Sequence, residues 1–452
     1  MSTRKQQKEL DKAIVHLMKY AEEALWSERK KQFFDDILMD AANGVDISVS
    51  ELIETLGEGY LGMAFSYLFE LFATSCWNNE KFCMIEDYVK RRGWRETPYA
   101  TRYLNALAKS EVRLWEVVTV NVGQWAEVRP FGTTSTVLRV YERSGTQNLK
   151  RWDCIATSVI LLDGKPTFGG GILPFSQEQA QDFPVFLEYA HRRVIEELKE
   201  IRADDQQCSW SDEEINLMAS SEESDPLSEL LFSFWICETY LALTKPMPTL
   251  VNRDGHLLQW SKVRFPVAPE NQDEIERRLH TAPHLDFDSN TKEWLWFDGE
   301  KDKVRDFGTT ILGQLSLVDD SLIATVNSVE RAETVKAYLN DLLGKLIGNP
   351  LSVHENVQSM MENYSTKNLP PAEPLDVPEL ITASLDQHYR KILDEPIPAL
   401  NNLTPRECVQ KSDQQVNLIQ WLKSLENNTA RAPHMAHYDF TWMWQELGIE
   451  EV

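Results

Sequence analysis

The hydrophobic periodicity of the sequence changes at Glu111, and this change indicates a mixed fold instead of one built from a single type of element. Before this residue, apolar side chains recur three and four positions apart, which is the spacing of one face of an α-helix. After it, short segments rich in β-branched and aromatic residues are separated by glycine-containing turns. We therefore expect a helical domain over residues 1–108 and a compact antiparallel β unit over residues 109–176.

The next two regions again combine both patterns. Residues 177–245 predict helices joined by an acidic, serine-rich connector. Residues 246–366 predict an α+β unit that ends in a β-β-α arrangement, with a hairpin turn at Asp319-Asp320 followed by a helix over Glu330–Leu346.

A cluster of prolines over residues 367–378 predicts an extended linker, because proline lacks a backbone donor and favours extended chain. We expect a small helical module to follow over residues 379–452. One helix of this module has a well-marked start: Thr404 suits the N-cap, Pro405 the first helical position and Glu407 the third position of a capping box. The predicted fold class is therefore α+β and multidomain, with helical regions at both ends.

Composition limits what the chain can bind. The 452 residues exceed what one hydrophobic core usually serves, and 42% apolar residues with 14 tryptophans suffice for several packed cores. The balance of 46 basic against 71 acidic residues gives a formal net charge of -25, which repels phosphate backbones, so nucleic acid is not the expected partner. No run approaches the roughly 20 apolar residues of a membrane span, and no apolar signal core is present, which predicts a cytoplasmic protein with no membrane contact. The oligomeric state stays open.

The cysteines carry no recognisable metal or redox spacing. All 6 stand singly along the sequence, with no CxxC pair. We expect reduced and mostly buried thiols.

Glycine-rich motifs suggest phosphate or cofactor binding only superficially. The segment Gly57 to Gly62 matches the dinucleotide-binding pattern letter by letter, but the residues before it predict a helix instead of the strand that this pattern requires. A turn between helices is the favoured interpretation. The run Gly169–Gly171 lacks the lysine and hydroxyl residues that would engage phosphate. No cofactor is therefore expected.

Glu142 and Arg143, near a β turn, are either an exposed pair of charges or a partner contact.

One segment has the spacing of a metal site. His284, Asp286 and Asp288 alternate, and on a strand such residues lie on one face, where an imidazole and two carboxylates could bind a divalent cation. An exposed polar loop is the alternative interpretation.

The C-terminal module contains the residues that we predict to contact a partner. One helix has an apolar face, and a second cluster contains tryptophans, which concentrate binding energy when they enter pockets. The predicted contact residues are Leu418, Leu422, Leu425, Trp442 and Trp444. Alternatively, these side chains dock onto the chain's own core.

This module, from the capping box at Thr404 to Gly448, resembles the C-terminal segments of uncharacterised bacterial proteins that often carry an SEC-C zinc motif. It is also distantly similar to the toxin-binding domain of Xre/MbcA/ParS antitoxins. The β stretch Leu114–Pro174 and the segment Leu312–Ala332 resemble the same bacterial group. The SEC-C cysteine cluster itself is missing, so zinc binding is not carried over. The resemblance implies an interaction protein, in the setting of a toxin–antitoxin-like or defence system.

Our hypothesis from the sequence is a non-enzymatic, regulatory bacterial protein that binds a protein partner through its C-terminal helices. The first alternative is a metal-dependent hydrolase with a dispersed site that uses His284, Asp286 and Asp288. The second is an acidic inhibitor of a basic partner.

Overall fold

The computed structural model of the chain describes residues 4–76, 82–204, 210–219, 227–246, 249–299, 310–356, 378–432 and 435–449. These residues form α-helices and two antiparallel sheets, so the predicted α+β class is confirmed. The chain divides into two compact units. The terminal unit combines Met1–Lys245 with Pro374–Val452, and the middle unit is Pro246–Glu373. No helix in the described part of the chain has both the length and the apolar character that crossing a membrane requires.

The terminal unit begins with the predicted helical region. Helix α1 buries Leu17 and Tyr20 in a core that also contains Met84, Tyr88 and Leu104. This core follows from the three-and-four spacing of the apolar residues, which gives each helix one apolar face. The five helices are α1 Arg4–Tyr20, α2 Ala24–Gly44, α3 Val49–Thr74, α4 Met84–Arg92 and α5 Pro98–Leu107.

The antiparallel sheet of the terminal unit follows. Its strands are β1 Val112–Asn121, β2 Trp125–Pro130, β3 Leu138–Val140, β4 Cys154–Leu162, β5 Lys165–Phe168 and β6 Leu173–Phe175. Their order is β3-β2-β1-β4-β5, and β6 also pairs with β4. Because successive side chains of a strand point to opposite faces, Ala156 of β4 packs in a core with Tyr67 of α3, whereas Ile155 packs with Val117 and Val128 on the other face. The sheet therefore has a core on both sides.

Two further groups of helices complete the terminal unit. The second region predicted as helical contains α6 Gln177–Asp204, α7 Asp212–Ala219 and α8 Leu227–Thr244. The C-terminal module contains α11 Pro378–Ile392, α12 Pro405–Val409, α13 Gln415–Arg431 and α14 Thr441–Glu446. The capping box at Thr404 and Glu407 is present as predicted. The predicted linker over 367–378 lies outside the described residues, except for Pro378, which begins α11.

The middle unit is a sheet with helices packed against one face. Its elements are β7 Gln259–Pro266, α9 Gln272–Thr281, β8 Leu285–Asp288, β9 Glu293–Phe297, β10 Ile311–Val318, β11 Ser321–Val326, α10 Val329–Leu343 and β12 Leu351–Asn356. The strand order is β12-β7-β11-β10-β9-β8. Leu279 of α9 and Val335 of α10 pack against Val263 and Leu322 of the sheet. The predicted hairpin at Asp319-Asp320 joins β10 to β11 and is confirmed.

Candidate binding cleft

A cleft of about 1450 Å³ lies in the terminal unit, between helices α1, α3 and α5 and loops that connect strands of the sheet. It exceeds the roughly 300–1,000 Å³ of an ordinary small-molecule pocket. Three motifs that the sequence singles out line it together: Gly59 and Gly62, the turn from Glu142 to Gly145, and Gly169-Gly170. The fold thus brings separate parts of the sequence onto one surface.

The glycine motif of α3 forms part of the cleft wall. As predicted, helix precedes it, and the backbone kinks at Gly57, which has φ 62° and ψ 175°. A positive φ of this kind favours glycine. A Cβ atom at Gly59 or Gly62 would meet nothing within 4 Å, so the wall has open space at these two positions. The motif shapes a surface and lacks the strand that would deliver a dinucleotide to a helix.

Gly169 and Gly170 also line the cleft, and the run that they form with Gly171 packs directly on α3. A Cβ atom at Gly171 would lie 2.7 Å from Cα of Tyr67, and one at Gly169 would lie 2.1 Å from Oγ of Ser158. Real Cβ atoms do not approach other atoms so closely, so only glycine allows this contact. Close packing on β4 and α3 therefore accounts for Gly169 and Gly171, respectively.

The buried side chain of Glu70 accepts a hydrogen bond from the loop that contains these glycines. Its Oε2 accepts a hydrogen bond from the backbone N–H of Gly171 at 2.8 Å, and its Oε1 accepts one from the hydroxyl of Ser158 at 2.5 Å. Burial raises the pKa of Glu70, although these hydrogen bonds act in the opposite direction. The carboxyl group therefore fixes the loop beside the cleft.

The turn after β3 directs a cation towards the cleft. Oε1 of Glu142 accepts hydrogen bonds from the backbone N–H groups of Arg143 and Ser144 at 2.9 and 3.0 Å, and from the Ser144 hydroxyl at 2.9 Å. Glu142 thus closes its own turn. The Arg143 side chain is exposed and makes no ion pair with any residue that the structure describes.

The charge of the cleft differs from that of the whole chain. Asp163 is held by Arg102 through two hydrogen bonds of 2.7 and 3.0 Å, which lower the pKa of this carboxyl group. Lys8 and Lys165 are exposed cleft residues, and neither pairs with an acidic side chain within the described ranges. Together with Arg143 they give the cleft three cations without an acidic partner in the part of the chain that the structure describes, beside the exposed carboxylate of Asp11, in a protein whose formal net charge is -25.

Apolar and aromatic side chains supply the rest of the lining. Tyr103 is almost fully buried at 6% exposure, and burial raises its pKa. The cleft also contains Tyr99, Tyr141, Phe168 and Ile172. Such a surface can bury apolar side chains of a ligand while the cations hold its acidic groups.

The predicted partner-contact residues lie elsewhere, and most of them are inside the protein. Leu418, Leu422 and Trp444 are 0%, 1% and 1% exposed, and they pack in a core with Trp152 of the loop before β4. A side chain with no free surface cannot meet a partner, so the structure corrects the prediction for these three. Leu425 and Trp442 are partly buried against the same core.

Polar contacts also attach α13 to the sheet, and the sequence patterns did not predict these contacts. Nζ of Lys423 lies 2.7 Å from Oε1 of Glu116, whose Oε2 accepts two hydrogen bonds from buried Arg129. Glu426 accepts a hydrogen bond of 2.8 Å from the indole N–H of Trp152. The available signals were the helical spacing of Lys423 and Glu426, and a lone glutamate among the apolar residues of β1.

These contacts fix the loop that lines the cleft. Trp152 has φ 67°, a backbone conformation that costs about 1–3 kcal/mol for a residue other than glycine. Asp153 accepts hydrogen bonds from Asn427 and Arg431 at 2.6 and 2.5 Å. The strained end of the loop is therefore stabilised by α13, and the same loop provides Arg143 at its other end.

The predicted metal ligands do not form a metal site. Nδ1 of His284 lies 2.8 Å from the carbonyl oxygen of Gly299, and Oδ1 of Asp288 accepts a backbone hydrogen bond from Asn290 at 2.8 Å. Within the described ranges, no group of three or more His, Cys, Asp or Glu residues is arranged to hold a metal ion. The alternation at His284, Asp286 and Asp288 therefore does not bring three ligands together, which corrects this prediction.

Neither a protein-family model nor a curated protein matches the sequence. The chemistry of the cleft is consequently the basis for a functional proposal.

Proposed function

We propose that this chain is a non-enzymatic, regulatory protein of the bacterial cytoplasm that binds a segment of a partner protein in the cleft. The observation that carries the proposal is the size of the cleft combined with its lining. A volume of about 1450 Å³ suits several residues of an extended peptide better than a small metabolite. The mixture of exposed cations and aromatic rings suits a peptide that has both apolar and acidic side chains.

The unpaired cations of the cleft indicate which charged side chains the partner segment carries. Lys8, Arg143 and Lys165 line the cleft, and carboxylates of the partner are the groups that would pair with them. The strong negative charge elsewhere on the chain repels acidic surfaces that do not fit this cleft, which favours selectivity. The partner segment is thus acidic and partly apolar, in an otherwise neutral or basic protein.

The C-terminal module has an indirect part in this function. Its helix α13 holds Trp152 and Asp153, and these residues anchor the loop that carries Arg143. The module therefore positions the cleft wall, whereas the sequence alone suggested that it forms the contact.

A charge reversal at the cleft tests the proposal. The tagged full-length chain is used to isolate a partner, which is identified by mass spectrometry, expressed and titrated against purified protein. We expect the double variant Arg143→Glu and Lys165→Glu to bind this partner at least about tenfold more weakly, which corresponds to about 1.4 kcal/mol. Unchanged melting temperature would show that the fold is intact.

Lys109→Glu is the matched control, because Lys109 is an exposed cation of the same unit that does not line the cleft. It should bind the partner as the wild-type protein does. Equal weakening by both variants would indicate a general charge effect, as expected for an acidic inhibitor. No weakening by the double variant, or no partner at all, would contradict the proposal.

A further inference from the structure

Cys76 and Cys83 lie directly opposite each other, although they stand alone in the sequence. They form an isolated antiparallel β-bridge, and both thiols are free. Residues that face each other in this way have Cα atoms about 4.5–5.5 Å apart. This separation falls within the range of roughly 4.4–6.8 Å that a disulfide spans. The backbone therefore holds the two cysteines at a distance that a disulfide can bridge.

The two thiols differ in their accessibility. Cys76 is exposed, whereas Cys83 is buried at 2% exposure immediately before α4. The backbone N–H groups of Ile85 and Glu86 face the Cys83 sulfur and oppose the effect of burial, which raises the pKa of this thiol. Reagents in solution can thus reach Cys76 directly, and Cys83 is placed to react with its neighbour.

We propose that Cys76 and Cys83 form a reversible disulfide by exchange with a small-molecule disulfide. The Cys76 thiolate attacks one sulfur of the oxidant, which releases one thiolate and leaves a mixed disulfide on Cys76. The Cys83 thiolate then attacks the Cys76 sulfur, which forms the internal bond and releases the second thiolate. Two protein thiols are oxidised, and one small disulfide is reduced to two thiols.

The bond joins two elements of the terminal unit. Cys76 follows the end of α3 at Thr74, and Cys83 precedes the start of α4 at Met84. Helix α3 also contains Gly59 and Gly62 of the cleft wall. The modification therefore ties the cleft-forming helix to its neighbour and restricts the unfolded chain, so we expect the oxidised protein to melt at a higher temperature.

Glutathione disulfide is the probe for this reaction. The full-length protein is equilibrated with it, remaining thiols are alkylated under denaturing conditions, and peptides are mapped by mass spectrometry without reduction. We expect one crosslink between the peptides that contain Cys76 and Cys83, and its loss on adding a reduced thiol.

Single variants define the order of the steps. Cys83→Ser should accumulate about tenfold or more glutathione on Cys76 compared with the wild type, because the resolving thiol is absent. Serine is itself a good helix N-cap, so this variant should fold. Cys76→Ser should leave Cys83 reduced, and Cys408→Ser should leave the crosslink unchanged. Recovery of Cys76 and Cys83 as unlinked species in the wild type, or crosslinks of Cys76 to a second chain, would overturn the proposal.

Discussion

Glu70 illustrates how one buried side chain can shape a binding surface that it does not line. Both of its oxygens accept hydrogen bonds, one of them from Gly171, which follows the cleft residues Gly169 and Gly170, and burial raises its pKa. Because burial disfavours the charged form, ionisation of Glu70 costs more free energy in the folded protein than in the unfolded chain.

This cost predicts a pH effect with a defined sign. The pKa of Glu70 is raised from 4.5 in the folded state, so the stability it contributes is complete below pH 4.5 and is lost as pH rises through the folded-state pKa. The Glu70→Gln variant has no such group, and its free energy of unfolding should fall less between pH 4.5 and 8 than that of the wild type. Urea unfolding across this pH range measures the difference.

The matched control is Glu54→Gln, which removes an exposed carboxylate from the same helix. This variant should keep the pH dependence of the wild type. An unchanged pH slope in Glu70→Gln would show that the buried carboxyl group is not the source of the effect.

At the scale of elements, the sequence predicted α13 and its apolar face, but it could not predict what this face covers. An amphipathic helix has the same pattern whether Leu418 and Leu422 pack on the chain's own core or on a partner. Local signals such as the capping box at Thr404 were sufficient because they depend on neighbouring residues only. The contact between Lys423 and Glu116 joins residues far apart in the chain, and no local pattern encodes it.

Two substitutions where α13 is attached to the sheet should differ in how much folding free energy they cost. Glu116→Gln leaves Arg129 and Lys423 as buried cations without a carboxylate, which should cost about 3–5 kcal/mol of folding free energy. Lys423→Met keeps the Glu116–Arg129 pair. Burial lowers the pKa of Lys423, which means that its charged form is disfavoured there, so we expect this substitution to cost less than about 2 kcal/mol of folding free energy. Denaturant unfolding of both variants decides the order, and a larger loss for Lys423→Met would refute this description of the network.

At the scale of the whole molecule, the terminal unit contains both ends of the chain. The α+β class and most elements were predictable, because hydrophobic periodicity determines them locally. The cleft was not predictable: Gly59, Arg143 and Gly169 come together only through the packing of α3 on the loops of the sheet. Each motif taken alone favoured a turn or an exposed charge.

Site-specific photocrosslinking in the intact protein tests the central claim, that the partner occupies the cleft, most directly. A photoreactive residue replaces Val122, a cleft residue that is 53% exposed, or Val416 on α13 of the C-terminal module, which is 61% exposed. We predict that one partner segment crosslinks from position 122 and not from position 416, and that Arg143→Glu with Lys165→Glu removes this product. Crosslinking from position 416 instead, or product from position 122 that survives the charge reversal, would contradict the account.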